Sequence, residues 1–138
     1  MTFPKVVLGV SGTIFLLLGV ANLLDPSGSM KLIGVNVPVG RGMVEARGMY
    51  GGLQLGLGLF MIAATIRERW LRPGLSAAAF CFGCMAGGRL LGMFLIKDYA
   101  GPALIKVIIE VIGALVATIA FRHAKMVVLR NRYQFPPG

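Results

Sequence analysis

Four long apolar stretches, separated by short polar segments, dominate the chain. They run from about residue 6 to 24, 46 to 66, 75 to 96 and 103 to 121. A helix needs about 20 apolar residues to cross a hydrocarbon core roughly 30 Å thick, and each stretch is close to that length. The pattern predicts an all-α integral membrane protein whose four transmembrane helices form an antiparallel bundle.

The segments outside these stretches are too short for a soluble domain, so we expect a single membrane domain over residues 1–138. The longest connection, residues 25–45, opens with Asp25 and Pro26, which predict the end of the first helix. After the fourth stretch comes a basic tail, residues 122–138. We expect this tail to continue the last helix along the membrane surface as a basic amphipathic segment.

The first stretch has an alternative interpretation as a secretory signal peptide, because Lys5 precedes an apolar run. However, the run is longer than the roughly 7 to 15 apolar residues of a signal peptide, and no A-x-A-like cleavage site follows it. These two features favour a helix that is retained in the mature protein.

Composition agrees with the membrane class. Hydrophobic residues make up 57% of the chain and charged residues 14%, and the mean hydropathy is +0.81. The charged fraction of a soluble domain is typically about a quarter. An ordinary soluble fold is therefore excluded.

The basic residues are distributed unequally between the two sides of the predicted bundle. On the side of the termini lie Lys5, Arg67, Arg69, Arg72, Arg122, Lys125, Arg130 and Arg132. On the other side lie Lys31, Arg41, Arg47, Lys97 and Lys106. The positive-inside rule predicts cytoplasmic termini, in what we expect to be a bacterial inner membrane. Contact with anionic lipid headgroups then explains the net charge of +9, and we expect no nucleic-acid partner.

Glycines are frequent inside the apolar stretches, although each costs about 1 kcal/mol relative to alanine in a soluble helix. In lipid, helices associate through close van der Waals packing, which small residues at positions i and i+4 permit. The spacing predicts helix-packing surfaces at Gly48, Gly52, Gly56, Gly83, Gly87, Gly88 and Gly92. The alternative is that these glycines leave room for a ligand.

Six polar side chains within or beside the apolar stretches gather in the predicted non-cytoplasmic half: Asn22, Glu45, Arg47, Gln54, Arg89 and Glu110. An uncompensated charge at a helix centre costs about 2.5 to 3.5 kcal/mol on insertion scales. Arg89 lies seven residues before Ile96 and Glu110 seven after Ala103, so both are roughly 10 Å deep. We expect Arg89 and Glu110 to pair.

The six polar residues and Tyr50 are candidate ligand or interaction residues. The alternative is that they form a structural network that fixes the register of the helices.

The motifs "ARGMYGGLQLGLGLF", "GGRLLGMFL" and "IIEVIGAL" resemble a family of small four-helix bacterial membrane proteins catalogued as domain of unknown function 4345. The resemblance runs from about Glu45 to Phe121 and supports the predicted fold and topology. The residues that it carries over are Arg47, Tyr50, Gly51, Gly52, Arg89 and Glu110. It implies no activity.

Other chemical motifs give weak signals. Cys81 and Cys84 form a C-x-x-C, which elsewhere marks redox or metal sites, but buried thiols that pack between helices fit this apolar setting better. His123 is the only histidine and has no second ligand beside it. No G-x-S-x-G, P-loop, HExxH or dinucleotide motif occurs. We therefore predict no catalytic residue, no metal and no cofactor, while a bound lipid or quinone stays open.

Three functions remain. The first is a non-enzymatic accessory subunit that packs within a larger membrane assembly or a homo-oligomer, surrounded by membrane lipids. The alternative is a binder or carrier of a hydrophobic small molecule, a lipid or quinone, in the non-cytoplasmic half of the bundle. The third is a membrane thiol oxidoreductase that acts through Cys81 and Cys84. An enzyme that uses Glu110 as acid or base is supported only by that single carboxylate.

Overall fold

The computed structural model describes the backbone of residues 2–97, 99 and 101–134, and their side chains except those of residues 102 and 125–134. Helices occupy most of these ranges, and no strand occurs in them. The helices are α1 (Thr2–Leu24), α2 (Pro26–Lys31), α3 (Arg41–Ala46), a π-helical turn (Arg47–Gly52), α4 (Leu53–Ile66), α5 (Glu68–Ile96) and α6 (Pro102–Gln134).

Within the described residues, four helical segments are long and apolar enough to cross a membrane: Thr2–Leu24, Arg41–Ile66, Glu68–Ile96 and Ala103–Ala124. The second is continuous through α3, the π-helical turn and α4. The predicted all-α class and the four membrane-length helices are confirmed. The helices are longer than the apolar stretches because good helix formers such as Glu, Arg and Lys continue the hydrogen-bonding pattern beyond the apolar core.

The start of α5 differs most from the prediction. The gap between the second and third apolar stretches predicts a short link over residues 67–74. In the structure, Arg67 is extended (φ −100°, ψ 108°) and the helix begins at Glu68. Pro73 lies inside α5, where its missing N–H removes one intrahelical hydrogen bond. The hydroxyl of Ser76 donates to the Pro73 carbonyl at 2.9 Å. A proline so close to the helix start is tolerated, and the polar link becomes the first two turns of α5.

Asp25 ends α1 as predicted, and the structure shows how. It is the N-cap of the short helix α2, and its carboxylate accepts a hydrogen bond from the Gly28 N–H at 2.9 Å. Pro26 follows at the first helical position, where a proline loses no intrahelical bond. This Asp-Pro pair therefore starts a new helix as well as ending the old one.

The chain divides into two compact units. The first, here the α5–α6 unit, comprises residues 1–8 and 64–138. Within it, α5 and α6 run antiparallel, as contacts of Arg89 with Glu110 and of Phe82 with Gly113 show. Small and medium apolar side chains form its core: Leu71, Leu75, Ala78, Phe82, Ala86, Val107, Ala117, Ala120 and Ala124. The alanines of α6 have no bulk beyond Cβ, which allows α5 to approach closely.

The second, here the α1–α4 unit, comprises residues 9–63. In it α1 runs antiparallel to α4, and the two backbones meet at glycines. A Cβ on Gly58 would lie 2.5 Å from the Leu16 backbone nitrogen and 2.8 Å from the Gly12 carbonyl oxygen. Phe15 and Met61 are buried in the same unit. The division into two compact units does not test whether residues 1–138 form a single domain, which stays a prediction.

Candidate functional site

The α5–α6 unit contains an ion pair between two helices that are otherwise apolar at this level. The Nε of Arg89 donates to both carboxylate oxygens of Glu110, at 2.8 Å and 3.1 Å. The Glu110 side chain is 7% exposed and the Arg89 side chain 33%. The expected pairing is confirmed, and it neutralises a buried carboxylate that would be costly alone.

Local packing brings the two partners together. Gly113, one turn after Glu110, lies against the ring of Phe82, and a Cβ there would be 3.1 to 3.3 Å from three ring atoms. Phe82 lies two turns before Arg89 on the same side of α5. The large ring opposite a glycine sets the distance between the helices, and the ion pair spans that distance.

The pair leaves part of the guanidinium unused. A guanidinium has five N–H donors in a planar fork, and here only the Nε donor is engaged. Among the residues that the structure describes, no acceptor forms a hydrogen bond with the terminal nitrogens Nη1 and Nη2. A third of the Arg89 side chain is exposed, so another molecule can reach part of it.

In the α1–α4 unit, the π-helical turn Arg47–Gly52 coincides with the Arg-x-x-Tyr-Gly-Gly motif. The N–H of Leu53 donates to the carbonyl of Gly48, five residues earlier. Such turns are rare in proteins overall, but those that occur are often found at functional sites. The glycines lack side chains that would resist the wider turn.

This turn is fixed to the end of α1. The Nε of Arg47 donates to the Leu23 carbonyl at 3.0 Å, one of the four C-terminal carbonyls that a helix cannot satisfy internally. Gly51 packs against Leu23 as well, since a Cβ there would lie 2.7 Å from the leucine Cγ and 3.0 Å from its backbone nitrogen. Arg47 is thus a cap for α1, a role that the sequence did not suggest.

Asn22 and Gln54 join α1 to α4 one turn away. The Asn22 side-chain nitrogen donates to Gln54 Oε1 at 3.1 Å and to the Leu18 carbonyl at 2.9 Å. Both of its donor hydrogens are therefore used, which suits a residue that is only 7% exposed. This contact fixes the register of the two helices.

The predicted polar residues thus fall into two groups, one in each compact unit. Asn22, Arg47 and Gln54 make polar contacts in the α1–α4 unit, while Glu45 and Tyr50 are exposed and their side chains form no hydrogen bond with any described residue. Arg89 and Glu110 pair in the α5–α6 unit. Their gathering into one site stays a prediction.

A family model covers nearly all of these features. It matches residues 3–121 and is described as Domain of unknown function (DUF4345). The chain belongs to this family. The suspected membership is confirmed, and both the Arg-x-x-Tyr-Gly-Gly turn and the Arg89–Glu110 pair lie inside the matched range. Searches of curated proteins and of solved structures gave no match.

For this DUF4345 member, the predicted helix-packing glycines make no close contact with another helix among the described residues, and their packing against a second protein stays a prediction. A Cβ would meet no atom of the described residues within 4 Å at Gly48, Gly56, Gly83, Gly87, Gly88 and Gly92. At Gly52 it would meet only the Arg47 carbonyl of the same turn, at 3.7 Å. In the described part of the chain, these glycines border open space.

Another set of glycines makes the close contacts: Gly12, Gly19, Gly51, Gly58, Gly74 and Gly113. Gly19 faces the backbone of Leu55, and a Cβ on Gly12 would lie 3.1 Å from the Gly58 carbonyl oxygen. The missed signal is a spacing of seven, which separates Gly12 from Gly19 and Gly51 from Gly58. Seven residues are about two helical turns, so each pair lies on one face and meets the other pair on the antiparallel helix.

The thiols of this DUF4345 member are both free, Cys81 being half-buried and Cys84 exposed. Among the described residues, no three side chains of His, Cys, Asp or Glu are grouped so that they could hold a metal ion. His123 contacts Phe3 edge to face, with ring centroids 6.1 Å apart. None of these observations assigns a chemical role to Cys81 or Cys84.

The start of α5 is strongly basic and aromatic. The guanidinium carbons of Arg67 and Arg69 lie 4.8 Å and 5.8 Å from the centre of the Trp70 ring. Arg72 stacks on Phe121 at 4.9 Å. Cations held over aromatic rings suit a membrane–water interface, where Trp is enriched.

Proposed function

We propose that this DUF4345 member is a multi-pass protein of a bacterial inner membrane with cytoplasmic termini, and that it acts as a non-enzymatic accessory subunit of a larger membrane assembly. The observation that carries the proposal is the set of open glycines on α5. Gly83 with Gly87, and Gly88 with Gly92, are pairs at i and i+4 whose Cβ positions border open space.

Open glycines on a membrane-length helix call for an explanation. Each lowers helix stability by about 1 kcal/mol relative to alanine, and within the described chain it gains no contact in return. Lipid tails fill the space beside any side chain, so contact with lipid alone does not explain why these positions are glycine. Contact with a second helix explains it, because two helix backbones approach closely only where the side chains between them are small.

The two open pairs lie on different sides of α5. Positions 83 and 88 are five residues apart, which is about 140° around a helix. Gly88 and Gly92 lie closer to Arg89 around the helix than Gly83 and Gly87 do. The accessory role is assigned to the Gly83–Gly87 pair, since a partner there would not disturb the Arg89–Glu110 contact.

The proposed partner is tested by purification of the tagged protein in mild detergent, followed by mass spectrometry of what elutes with it. We expect one membrane protein in constant ratio. Gly87→Leu is expected to lower its recovery about tenfold or more, because overpacking of a tight contact costs about 1 to 3 kcal/mol. Gly88→Leu, the same exchange at an open glycine on another side of α5, is the matched control and should retain the partner.

Two results would contradict the accessory role. A wild-type chain that always elutes alone at its monomeric mass would remove any stable partner. A complex that contains only copies of this chain would replace the larger assembly by a homo-oligomer. Mass measurement of the intact complex separates these results from the expected one.

The proposed orientation rests on the excess of Lys and Arg beside the termini. In a variant without Cys81 and Cys84, we expect Ser29→Cys to react with a membrane-impermeant maleimide on spheroplasts with intact membranes. Asn131→Cys should react only after permeabilisation. The two single variants are each other's control, and the reverse pattern of labelling would overturn the orientation.

A further inference from the structure

Arg89 presents hydrogen-bond donors for which no described residue of the chain supplies an acceptor. Among the described residues, its only hydrogen bonds from the side chain run from Nε to the two oxygens of Glu110. We propose that the terminal nitrogens of Arg89 bind the carbonyl oxygen of a neutral, bilayer-soluble molecule. This inference goes beyond the accessory role and does not depend on it.

The position of Arg89 creates the need for an acceptor. It lies seven residues before the end of α5 at Ile96, about 10 Å along the helix axis. Around it, Leu90, Leu91 and Phe94 are exposed and apolar, as expected of a helix in lipid. A donor without a partner costs several kcal/mol in hydrocarbon, and the bond from Nε to Glu110 keeps the guanidinium from moving freely to the membrane surface.

The charge of the pair selects the kind of acceptor. Glu110 already neutralises Arg89, so the pair has no net charge. A phosphate or a second carboxylate would leave a net negative charge in a medium of low dielectric constant, which is costly. A carbonyl oxygen accepts hydrogen bonds without adding charge. Quinone carbonyls and the ester carbonyls of lipids share this chemistry.

The open side of α5 gives such a molecule access. Gly92 lies three residues after Arg89 and therefore on the same face. A side chain on a helix leans toward the N-terminus, so any side chain at position 92 would cover the flank of Arg89. Glycine leaves that flank free, and a Cβ there would meet no described atom within 4 Å.

The test measures the infrared absorption of labelled carbonyl groups with the full-length protein in nanodiscs. In the first arm, the lipid is an ether-linked phosphatidylcholine without ester carbonyls, and a decyl benzoquinone with carbon-13 carbonyls is added. In the second arm, the lipid is an ester-linked phosphatidylcholine with carbon-13 carbonyls, and no quinone is present. A carbonyl that accepts a hydrogen bond from a guanidinium absorbs at lower frequency than a free one.

We expect the wild-type protein to show a lowered carbonyl band in at least one arm, and the arm identifies the source. Arg89→Lys keeps the charge for Glu110 but removes the planar fork, so the band should be lost, with affinity reduced about tenfold or more. Arg69→Lys, the same exchange at an exposed arginine far along α5, is the control and should keep the band.

A second variant covers the case in which Arg89→Lys does not fold. Gly92→Leu leaves the ion pair intact and fills the open flank, so it should also abolish the band, while Gly83→Leu on another side of α5 should not. No lowered band in either arm, or a band that survives both Arg89→Lys and Gly92→Leu, would overturn the proposal. Neither result bears on whether a partner protein co-purifies.

Discussion

Replacement of Gly58 by leucine is expected to separate α1 from α4 and to destabilise the protein severely. The atoms that a new Cβ would meet are the backbone nitrogen of Leu16 at 2.5 Å, its Cα at 2.9 Å and the Gly12 carbonyl oxygen at 2.8 Å. Backbone atoms cannot rotate away as side chains do, so we expect a loss of about 3 kcal/mol, the upper part of the range for overpacking. Thermal unfolding in detergent, followed by circular dichroism, measures this loss.

The matched control is Gly87→Leu, the same exchange at a glycine whose Cβ would meet no described atom within 4 Å. For the isolated protein it should leave the melting temperature unchanged or raise it slightly, since leucine has the higher helix propensity. Gly58→Ala should fall between the wild type and Gly58→Leu. Equal stability of Gly58→Leu and Gly87→Leu would show that the α1–α4 contact does not support the fold.

Removal of either partner of the Arg89–Glu110 pair is expected to be the largest single effect on the α5–α6 unit. Arg89→Leu and Glu110→Leu each leave the other charge without its partner in an apolar setting, which typically costs 3 to 5 kcal/mol. The double change to leucine should recover much of this loss, because apolar residues of similar volume can replace a buried pair at little net cost. The yield of folded protein and its unfolding in denaturant measure the interaction.

Lys106→Leu is the control for this cycle. Lys106 lies one turn before Glu110 on α6, and its side chain forms no hydrogen bond or ion pair with any described residue, so its loss should change the free energy of unfolding by less than about 1 kcal/mol. If the double variant is as unstable as the sum of the two single variants, the pair contributes no coupling. A stable double variant that has lost the lowered carbonyl band would separate the stabilising role of the pair from ligand binding.

The ion pair could be predicted because it depends on depth alone. Two charges that lie equally far from the connection between consecutive helices must come to the same level when the helices run antiparallel. Arg89 and Glu110 meet this condition, and the high cost of an isolated charge in lipid makes pairing the favoured outcome. The exposure of the guanidinium, and its use of Nε alone, could not be predicted, since both depend on how the side chains turn.

The glycine contacts show the limit of spacing as a guide. The chain offers glycines at intervals of four and of seven, and both intervals keep residues on one helical face. Which of the two sets of glycines forms a contact depends on the helix face that lies opposite. Here Gly12 and Gly19 meet Gly51 and Gly58, whereas the pairs at intervals of four are open. The π-helical turn at Arg47–Gly52 also changes the register before α4, which no periodic pattern reveals.

By itself the sequence determined the helical class, the four membrane-length helices, the break at Asp25 and Pro26, and the level at which Arg89 and Glu110 meet. These features follow from transfer free energies and backbone preferences, which each residue carries regardless of its neighbours. The tertiary structure decided which glycines are contacts, that Arg47 caps α1 through the Leu23 carbonyl, and that Arg89 binds Glu110 through its Nε. Those features depend on which helix faces meet. A contact between two faces involves two segments of the chain, so the sequence of neither segment specifies the contact alone.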